Sequence, residues 1–286
     1  MDKILLIGFG KLGSHLYYSL LSTGKYMVTS AKKRSTKKSI LAGLIRSADV
    51  IFICVQDSKV AKAAESIIKS GIPLKYKIIF HTSGALTSDA IAELKQHGAR
   101  TGSFHPVQSF AKRTTRLTNS FKDIYIAAEG DKPAVKKAYS IAKSIGSIPF
   151  TIKKENKVYH HICCVMASNF LSALNGRIEE TGRKKIQING FNNLTFLNIY
   201  MPLARQTLGN ITKHGAKGSL TGPIERNDIV TVKHHLDALQ KSSKELLTFY
   251  ILMGIETVKL ALNKKSITKN EASKLYKLFS NYIIKQ

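Results

Sequence analysis

The sequence predicts an α/β protein in which a doubly wound, mainly parallel sheet is followed by a mainly α-helical domain. Up to about residue 152, short apolar runs alternate with segments whose apolar residues recur at helical spacing. Such alternation is typical of parallel strands joined by right-handed helical crossovers. From residue 156 onward, long helical patterns replace the strand signals. We therefore expect a sheet domain over residues 1–153 and a helical domain over residues 154–286.

The individual elements follow from local patterns. Seven short apolar or alternating runs bounded by turn residues predict strands, in the order Lys3–Ile7, Tyr26–Ser30, Asp49–Val55, Lys77–His81, Ala99–Phe104, Asp123–Ala128 and Pro149–Ile152. Helical spacing predicts helices over Lys11–Ser22, Ser58–Ser70, Ser88–His97, Lys132–Ile145, Lys157–Leu174, Leu194–His214, Val230–Gly254 and Asn270–Lys285. Only nineteen residues, Ala31–Asp49, separate the second and third strands. Because a helix, a strand and a second helix hardly fit there, we expect a shortened sheet on that side.

Composition limits the class of protein. A chain of 286 residues with 43% hydrophobic and 22% charged residues can bury a core, which excludes disordered, collagen-like and disulfide-scaffold proteins. The three cysteines, two of them adjacent, indicate a reducing compartment. No secretory signal and no membrane span is recognisable in the sequence, so we expect a cytoplasmic protein.

The basic excess has two explanations. Lys and Arg number 45 against 18 Asp and Glu, which gives a net charge of +27. Nucleic-acid binding is one explanation, and a lysine-rich solvated surface is the other. The absence of a basic motif interleaved with aromatic residues favours the second. We expect a small-molecule substrate as the partner.

A glycine-rich turn follows the first predicted strand and opens the first predicted helix. It reads Gly8-Phe9-Gly10-Lys11-Leu12-Gly13, the G-x-G-x-x-G pattern of dinucleotide-binding turns. Gly8 permits the tight turn, Gly10 lets the backbone approach a pyrophosphate, and Gly13 lets the helix pack against the strand. The helix N-terminus directs free N–H groups at the phosphates. These six residues are therefore predicted to bind a dinucleotide.

The residues after the second and third strands favour NADP over NAD. An acid after the second strand would accept the ribose hydroxyls of NAD, whereas hydroxyl and cationic groups would bind the 2′-phosphate of NADP. The chain has Ser30, Lys32 and Arg34 there and no acidic residue between the first and third strands. The alternative is that the lysines belong to the general basic excess. Val55 and Gln56, after the third strand, are predicted to complete the cofactor site.

Ligands of parallel sheets bind beyond the carboxyl ends of the strands, where this chain has several polar residues. Asp57 follows the third strand, His81 and Ser83 close the fourth, and His105 closes the fifth. We expect Ser83 and His105 to orient a substrate during catalysis and His81 to contact it. The alternative for each His is a hydrogen bond that only stabilises its own turn.

The first helix of the second predicted domain has a polar stripe. On a helical wheel the stripe contains Lys157, His161, Cys164 and Ser168, with His160 and Ser172 at its margins and Asn169 to one side. Lys157 or His160 is predicted to be the proton donor, and Ser168 and Asn169 are predicted substrate contacts. Adjacent His or Cys residues diverge on a helix, and neither CxxC nor HxxxH spacing occurs, so we predict no metal site.

Five blocks together resemble a known family. They are Leu6–Gly13, His81–Leu86, Gly102–Phe110, Lys157–His160 with Ala167–Asn169, and Leu220–Asp228. They are similar to bacterial Rossmann-like proteins that carry a helical C-terminal domain of unknown function. More distantly, they resemble pyrroline-5-carboxylate reductase, ketopantoate reductase, β-hydroxyacid dehydrogenases and deazaflavin-dependent NADP oxidoreductases.

The resemblance implies a helical domain that forms a homodimer, with the active site in the cleft between the two domains. It also matches Lys157 to the catalytic lysine of β-hydroxyacid dehydrogenases, although His161 stands where those enzymes have Asn.

Gly222 and Pro223 are predicted to bind substrate at a helix start that includes Arg226 and Asp228, the alternative being a capped loop. The sequence thus favours an NADP-dependent oxidoreductase that transfers a hydride between nicotinamide and a small carbonyl, imine or hydroxy compound. The alternative is a non-catalytic NADP(H)-binding regulator or sensor.

Overall fold

The structure, a computed structural model, describes residues 1–31, 37–186 and 196–284. The chain forms two compact units, Met1–Leu174 and Asn175–Gln286. The first unit includes the start of the helical region as well as the whole sheet, whereas the predicted boundary at residue 153 marks the change from strands to helices. The predicted fold class, an α/β sheet domain followed by helices, is confirmed.

A seven-stranded sheet organises the first unit. Its strands are β1 Asp2–Ile7, β2 Tyr26–Ala31, β3 Val50–Ile53, β4 Ile78–His81, β5 Arg100–Pro106, β6 Tyr125–Gly130 and β7 Ile148–Thr151. The spatial order is β2-β1-β3-β4-β5-β6-β7, and all neighbours are parallel except β5 and β6. Among the described residues, no strand lies beyond β2. The carboxyl ends of β1, β3, β4 and β5 therefore lie side by side at one edge of the sheet.

Helices cover both faces of the sheet. They are α1 Lys11–Leu21, α2 Lys38–Ser47, α3 Val60–Ile68, α4 Glu93–Gln96 and α5 Lys132–Ser144. Ile4 and Leu6 point into one apolar layer, which includes Leu16 of α1, whereas Leu5 points into the other with Val60 of α3. Successive residues of a strand face opposite sides, so these apolar runs fill both layers at once.

The polar helix predicted over Lys157–Leu174 is longer and is not uniformly α-helical. It comprises α6 Lys157–Val165, a π-helical turn Met166–Phe170 and α7 Leu171–Lys185. π-helical turns are rare and occur frequently at functional sites. This one contains Ser168 of the predicted polar stripe and follows the stripe residues Lys157, His161 and Cys164.

The second unit is helical, with α8 Phe196–Ser219, α9 Ile229–Ser242, α10 Lys244–Lys264 and α11 Lys269–Ile283. The single helix predicted over Val230–Gly254 is wrong, because Ser243 has an extended backbone and its hydroxyl accepts the N–H of Leu246 to begin a new helix. α8 is interrupted at Gly215, where φ is +70°. Among the described residues, no helix is long and apolar enough to span a lipid bilayer.

Candidate active site

The glycine turn has the geometry of a dinucleotide-binding loop. Gly8 has φ +102°, and a Cβ atom there would lie 2.4 Å from the carbonyl oxygen of Cys54. A Cβ atom on Gly13 would lie 2.3 Å from the carbonyl oxygen of Gly8. At Gly10, by contrast, no described atom lies within 4 Å of the Cβ position. Packing therefore requires glycine at Gly8 and Gly13, whereas Gly10 leaves open space beside the backbone.

That open space lies at the start of α1. Gly10 precedes the first helical residue, Lys11, and within the described chain no side chain caps this end and no acid occupies the first turn. The first N–H groups of a helix lack partners within it and carry partial positive charge. Open space beside uncapped N–H groups therefore fits a pyrophosphate.

Two other residues of the turn, Phe9 and Leu12, serve packing. Leu12 packs against the core of the sheet, and the ring of Phe9 lies 5.3 Å from that of Tyr17. The guanidinium of Arg113 lies 5.4 Å from the centre of the Phe9 ring. The backbone of Phe9, and not its side chain, is therefore what the turn offers a ligand.

Arg113 belongs to a loop whose residues the sequence did not single out as a site. A cavity of about 480 Å³ is lined by His15, Ser120 and residues 108–114. The backbone N–H of Thr114 donates to the hydroxyl of Ser14, in the first turn of α1. The loop thus brings cationic side chains near the glycine turn, a proximity that follows from tertiary contacts and has no local sequence signal.

The end of β2 is described only in part. The Ser30 hydroxyl is buried and has no hydrogen-bond partner among the described residues. A buried polar group without a partner is uncommon in a folded protein and fits a group that a ligand would satisfy. Lys32 and Arg34, predicted to bind the 2′-phosphate, lie outside the described residues.

Val55 and Gln56 follow β3. Val55 Cγ1 lies 3.0 Å from the Cβ position of Gly8, so this side chain packs directly on the glycine turn. Gln56 is exposed, and its Oε1 accepts a hydrogen bond from Lys59. The structure therefore brings Val55 to the predicted cofactor site, while Gln56 lies at its solvent side.

His81, at the end of β4, supports the turn that follows it. Its side chain is fully buried, Nδ1 accepts the N–H of Ser83 at 3.2 Å, and Nε2 pairs with the carbonyl oxygen of Thr87 at 2.9 Å. Burial is the main reason why the pKa of His81 falls to about 4, so the ring is neutral at pH 7. Both ring nitrogens are thus used within the turn, and the predicted contact of His81 with a substrate stays a prediction.

The Ser83 hydroxyl is also used in hydrogen bonds within the protein. Its hydroxyl donates to Asp57 at 2.8 Å and accepts the N–H groups of Ala85 and Leu86. Asp57 follows β3, and the sequence assigned it no role. The signal that could have found the pair is topological, since neighbouring parallel strands bring the residues after their carboxyl ends together.

Lys157 is the most unusual residue of the site. Its side chain is 1% exposed, and Nζ donates to the carbonyl oxygen of Ser83 at 3.1 Å and to the hydroxyl of Ser103 at 2.8 Å. Burial lowers the pKa of Lys157 from 10.5 to about 8, although the negative charges of Glu129 and Asp57 oppose the shift. A buried amine that titrates near neutral pH is suited to proton transfer.

Three imidazoles lie beside this lysine. His105 Nδ1, from β5, lies 3.1 Å from His160 Nε2, from α6. Gly84 gives room for the cluster, since a Cβ atom there would lie 2.6 Å from His105 Nε2 and 2.7 Å from His161 Nδ1. Burial, and next the nearby His160, lower the pKa of His105 to about 3. Burial likewise lowers the pKa of His160, so the rings of His105 and His160 are mainly neutral at pH 7.

The remaining predicted substrate contacts belong to the π-helical turn and to the second unit. Ser168 and Asn169 lie on the π-helical turn, beyond the His105 cluster, and Asn169 is exposed. Gly222, with φ +105°, and Pro223 belong to the second unit. Gly222 and Pro223 form a turn and do not begin a helix.

The helix after this turn begins later than predicted. It begins at Ile229, because Asn227 has φ +55° and the Asp228 side chain caps the N–H of Thr231. The prediction that Pro223 starts a helix with Arg226 and Asp228 in its first turn is therefore wrong.

Comparisons with known proteins support the same architecture. Residues 124–257 match the family model of a domain of unknown function, DUF2520. No curated protein is significantly similar in sequence. A Bacteroides fragilis protein named as a candidate NADP oxidoreductase has a TM-score of 0.69 at 21% identity, over 90% of this chain and 97% of the other.

Two further crystal structures have similar folds. A Thermotoga maritima protein has a TM-score of 0.66 at 21% identity, over 92% of this chain and 99% of the other. The Plasmodium falciparum pyrroline carboxylate reductase, solved with NADP bound, has a TM-score of 0.56 at 14% identity, over 97% of this chain and 98% of the other. The resemblance predicted from the sequence is confirmed, and the chain has the Rossmann-like fold with a helical C-terminal region that these proteins share.

Proposed function

We propose that this chain is an NADP-dependent oxidoreductase that transfers a hydride between nicotinamide and a small carbonyl, imine or hydroxy compound. The observation that carries the proposal is the buried Lys157 at the carboxyl edge of the sheet that also holds the glycine turn. Similar folds in an NADP-bound reductase and in a candidate NADP oxidoreductase support the oxidoreductase class. The predicted homodimer, the interdomain position of the substrate and the cytoplasmic location stay predictions.

The residues present fit NADP. The space beside Gly10 and the uncapped start of α1 would receive the pyrophosphate, and the unpartnered hydroxyl of Ser30 would donate a hydrogen bond to the adenosine ribose or its phosphate. Lys32 and Arg34 would supply the cations for the 2′-phosphate. When bound as NADPH, the cofactor supplies the hydride.

Lys157 supplies the proton. Two of its N–H groups are held by Ser83 and Ser103, which leaves the third for the oxygen or nitrogen of the substrate. As hydride reaches the carbon of a C=O or C=N bond, the ammonium transfers its proton to the heteroatom, and the resulting neutral amine is tolerated because the site is buried. We assign Lys157 as the donor in preference to His160, whose Nε2 faces His105.

The test is a comparison of NADPH oxidation by the wild-type chain and by Lys157→Met over a panel of small carbonyl and imine substrates. We expect turnover of at least one of these classes by the wild type and a large loss in the variant, with the NADPH affinity preserved. Equal turnover by both proteins would remove Lys157 from the mechanism. NADPH binding without turnover of any substrate would favour the sensor alternative.

A further inference from the structure

Cys164 lies beside the pair formed by His105 and His160 and adds a third side chain of a type that binds metal ions. Cys164 Sγ lies 3.8 Å from His160 Nε2, and His160 Nε2 lies 3.1 Å from His105 Nδ1. One ligand atom from each of these residues lies within 4.8 Å of the other two. All three residues belong to the first compact unit, so the grouping does not depend on the second.

Two of these separations are close to those of a tetrahedral metal site. With zinc–nitrogen bonds of about 2.0–2.1 Å and a zinc–sulfur bond of about 2.3 Å, tetrahedral angles separate two nitrogen ligands by about 3.3 Å and nitrogen from sulfur by about 3.6 Å. The observed 3.1 Å and 3.8 Å differ from these values by about 0.2 Å. The third pair, a His105 nitrogen and Cys164 Sγ, lies within 4.8 Å. Side-chain rotations that shorten this separation by at most about 1.2 Å would place all three atoms around one ion.

The helix explains why these residues converge. His160 and Cys164 are four positions apart on α6, so they lie on the same face, one turn above the other. Of their neighbours, Cys163 is exposed, whereas His161 Nδ1 lies beside Gly84 together with His105 Nε2, not with the His105 Nδ1 atom that faces His160. The prediction of no metal site considered spacing within the helix, whereas the third ligand comes from β5.

We propose that His105, His160 and Cys164 bind a zinc-type divalent ion and leave its fourth coordination position open. Two imidazoles and one thiolate are a ligand set that zinc accepts, and an open fourth position is typical of catalytic rather than structural zinc sites. On binding, the Cys164 thiol releases its proton to solvent as the sulfur–metal bond forms, and each ring donates a nitrogen lone pair. The fourth position would take water or an oxygen-containing or nitrogen-containing ligand. The inference does not require NADP binding or turnover.

The experiment uses the full-length chain, freed of metal by dialysis against a chelator and titrated with Co²⁺. We expect one Co²⁺ per chain, with a thiolate-to-cobalt charge-transfer band and the intense visible absorption of tetrahedral cobalt, both removed by added Zn²⁺. Weaker binding without a thiolate band, or no stoichiometric binding, would overturn the proposal.

Two adjacent cysteines give a matched pair of variants. Cys164→Ser should lose the thiolate band and weaken Co²⁺ binding by at least about 100-fold, because a direct ligand should cost at least as much as the 10–100-fold effect of an outer-shell partner. Cys163→Ser, the same change one residue away, should keep both the thiolate band and the affinity for Co²⁺. A band that persists in Cys164→Ser or disappears in Cys163→Ser would contradict the assignment. NADPH titration of the same samples shows separately whether the cofactor site is intact.

Discussion

Lys157→Met should change the pH dependence of stability in a way that only a buried lysine can produce. The substitution keeps the aliphatic length of the side chain and removes the ammonium. The pKa of Lys157 is about 8 in the folded chain and 10.5 when unfolded, and each pKa unit corresponds to about 1.4 kcal/mol. The buried charge therefore costs the folded state about 3 kcal/mol at pH 7.

The sign of the effect follows from proton uptake. Between pH 8 and 10.5 the unfolded chain holds a proton on this lysine that the folded chain has lost, so stability rises with pH. Below pH 8 both states are charged and the cost is fully present, and above 10.5 both are neutral and the cost is gone. Relative to Lys157→Met, the wild type should therefore gain about 2.5 kcal/mol between pH 7 and 10.

The assay is urea unfolding of both proteins, followed by circular dichroism at pH 7, 8, 9 and 10. Subtracting one free energy of unfolding from the other removes the contribution of groups that titrate equally in both proteins. Lys154→Met is the control, because the ion pair with Asp89 raises the pKa of this exposed lysine, and its contribution should show no such rise. A wild-type minus Lys157→Met difference that stays flat with pH would refute the claim that burial perturbs Lys157.

Three further predictions concern activity and packing. Reduction by the wild type should slow as pH rises above about 8, because the donor must be protonated, and a rate that does not change there would count against Lys157 as the donor. In Lys157→Met, kcat should fall by about 10²–10⁴-fold in a steady-state assay. Gly84→Ala should destabilise the fold by about 1–3 kcal/mol in thermal unfolding, since its Cβ would meet His105 Nε2, and a neutral effect would show that the cluster is loosely packed. Ser243→Ala should cost about 1 kcal/mol by removing the cap of α10, which urea unfolding would detect.

The features that sequence predicts well are those set by local pattern. The apolar runs of β1, β3 and β4 and the glycine turn after β1 were predicted because burial on both faces and the turn geometry constrain nearly every residue. Helix boundaries were less predictable. Apolar spacing continues through Ser243, and only the cap formed by its hydroxyl separates α9 from α10.

The contacts within the candidate site were not predictable from local pattern, because they join residues far apart in the chain. His105 and His160 are 55 positions apart, and Lys157 meets Ser103 across 54. Partial burial of Lys157 could be expected from the sequence. The two oxygen atoms that accept its hydrogen bonds, from Ser83 and Ser103, could not, because they depend on how β5 and the turn after β4 pack against α6. By contrast, both nitrogens of His81 bind its own turn, at Ser83 and Thr87, which is the alternative that the sequence leaves open for this residue.

The central claim, that the glycine turn binds NADP, is tested most directly by calorimetric titration of the chain with NADPH and with NADH. Two variants sharpen the test. Gly10→Val should fold normally but place a side chain in the open space, whereas Gly43→Ala adds a methyl group in α2 where no described atom lies within 4 Å. We expect micromolar NADPH binding, much weaker NADH binding, loss of binding in Gly10→Val and retention in Gly43→Ala. No binding of either dinucleotide by the wild type, or undiminished binding by Gly10→Val, would contradict the claim.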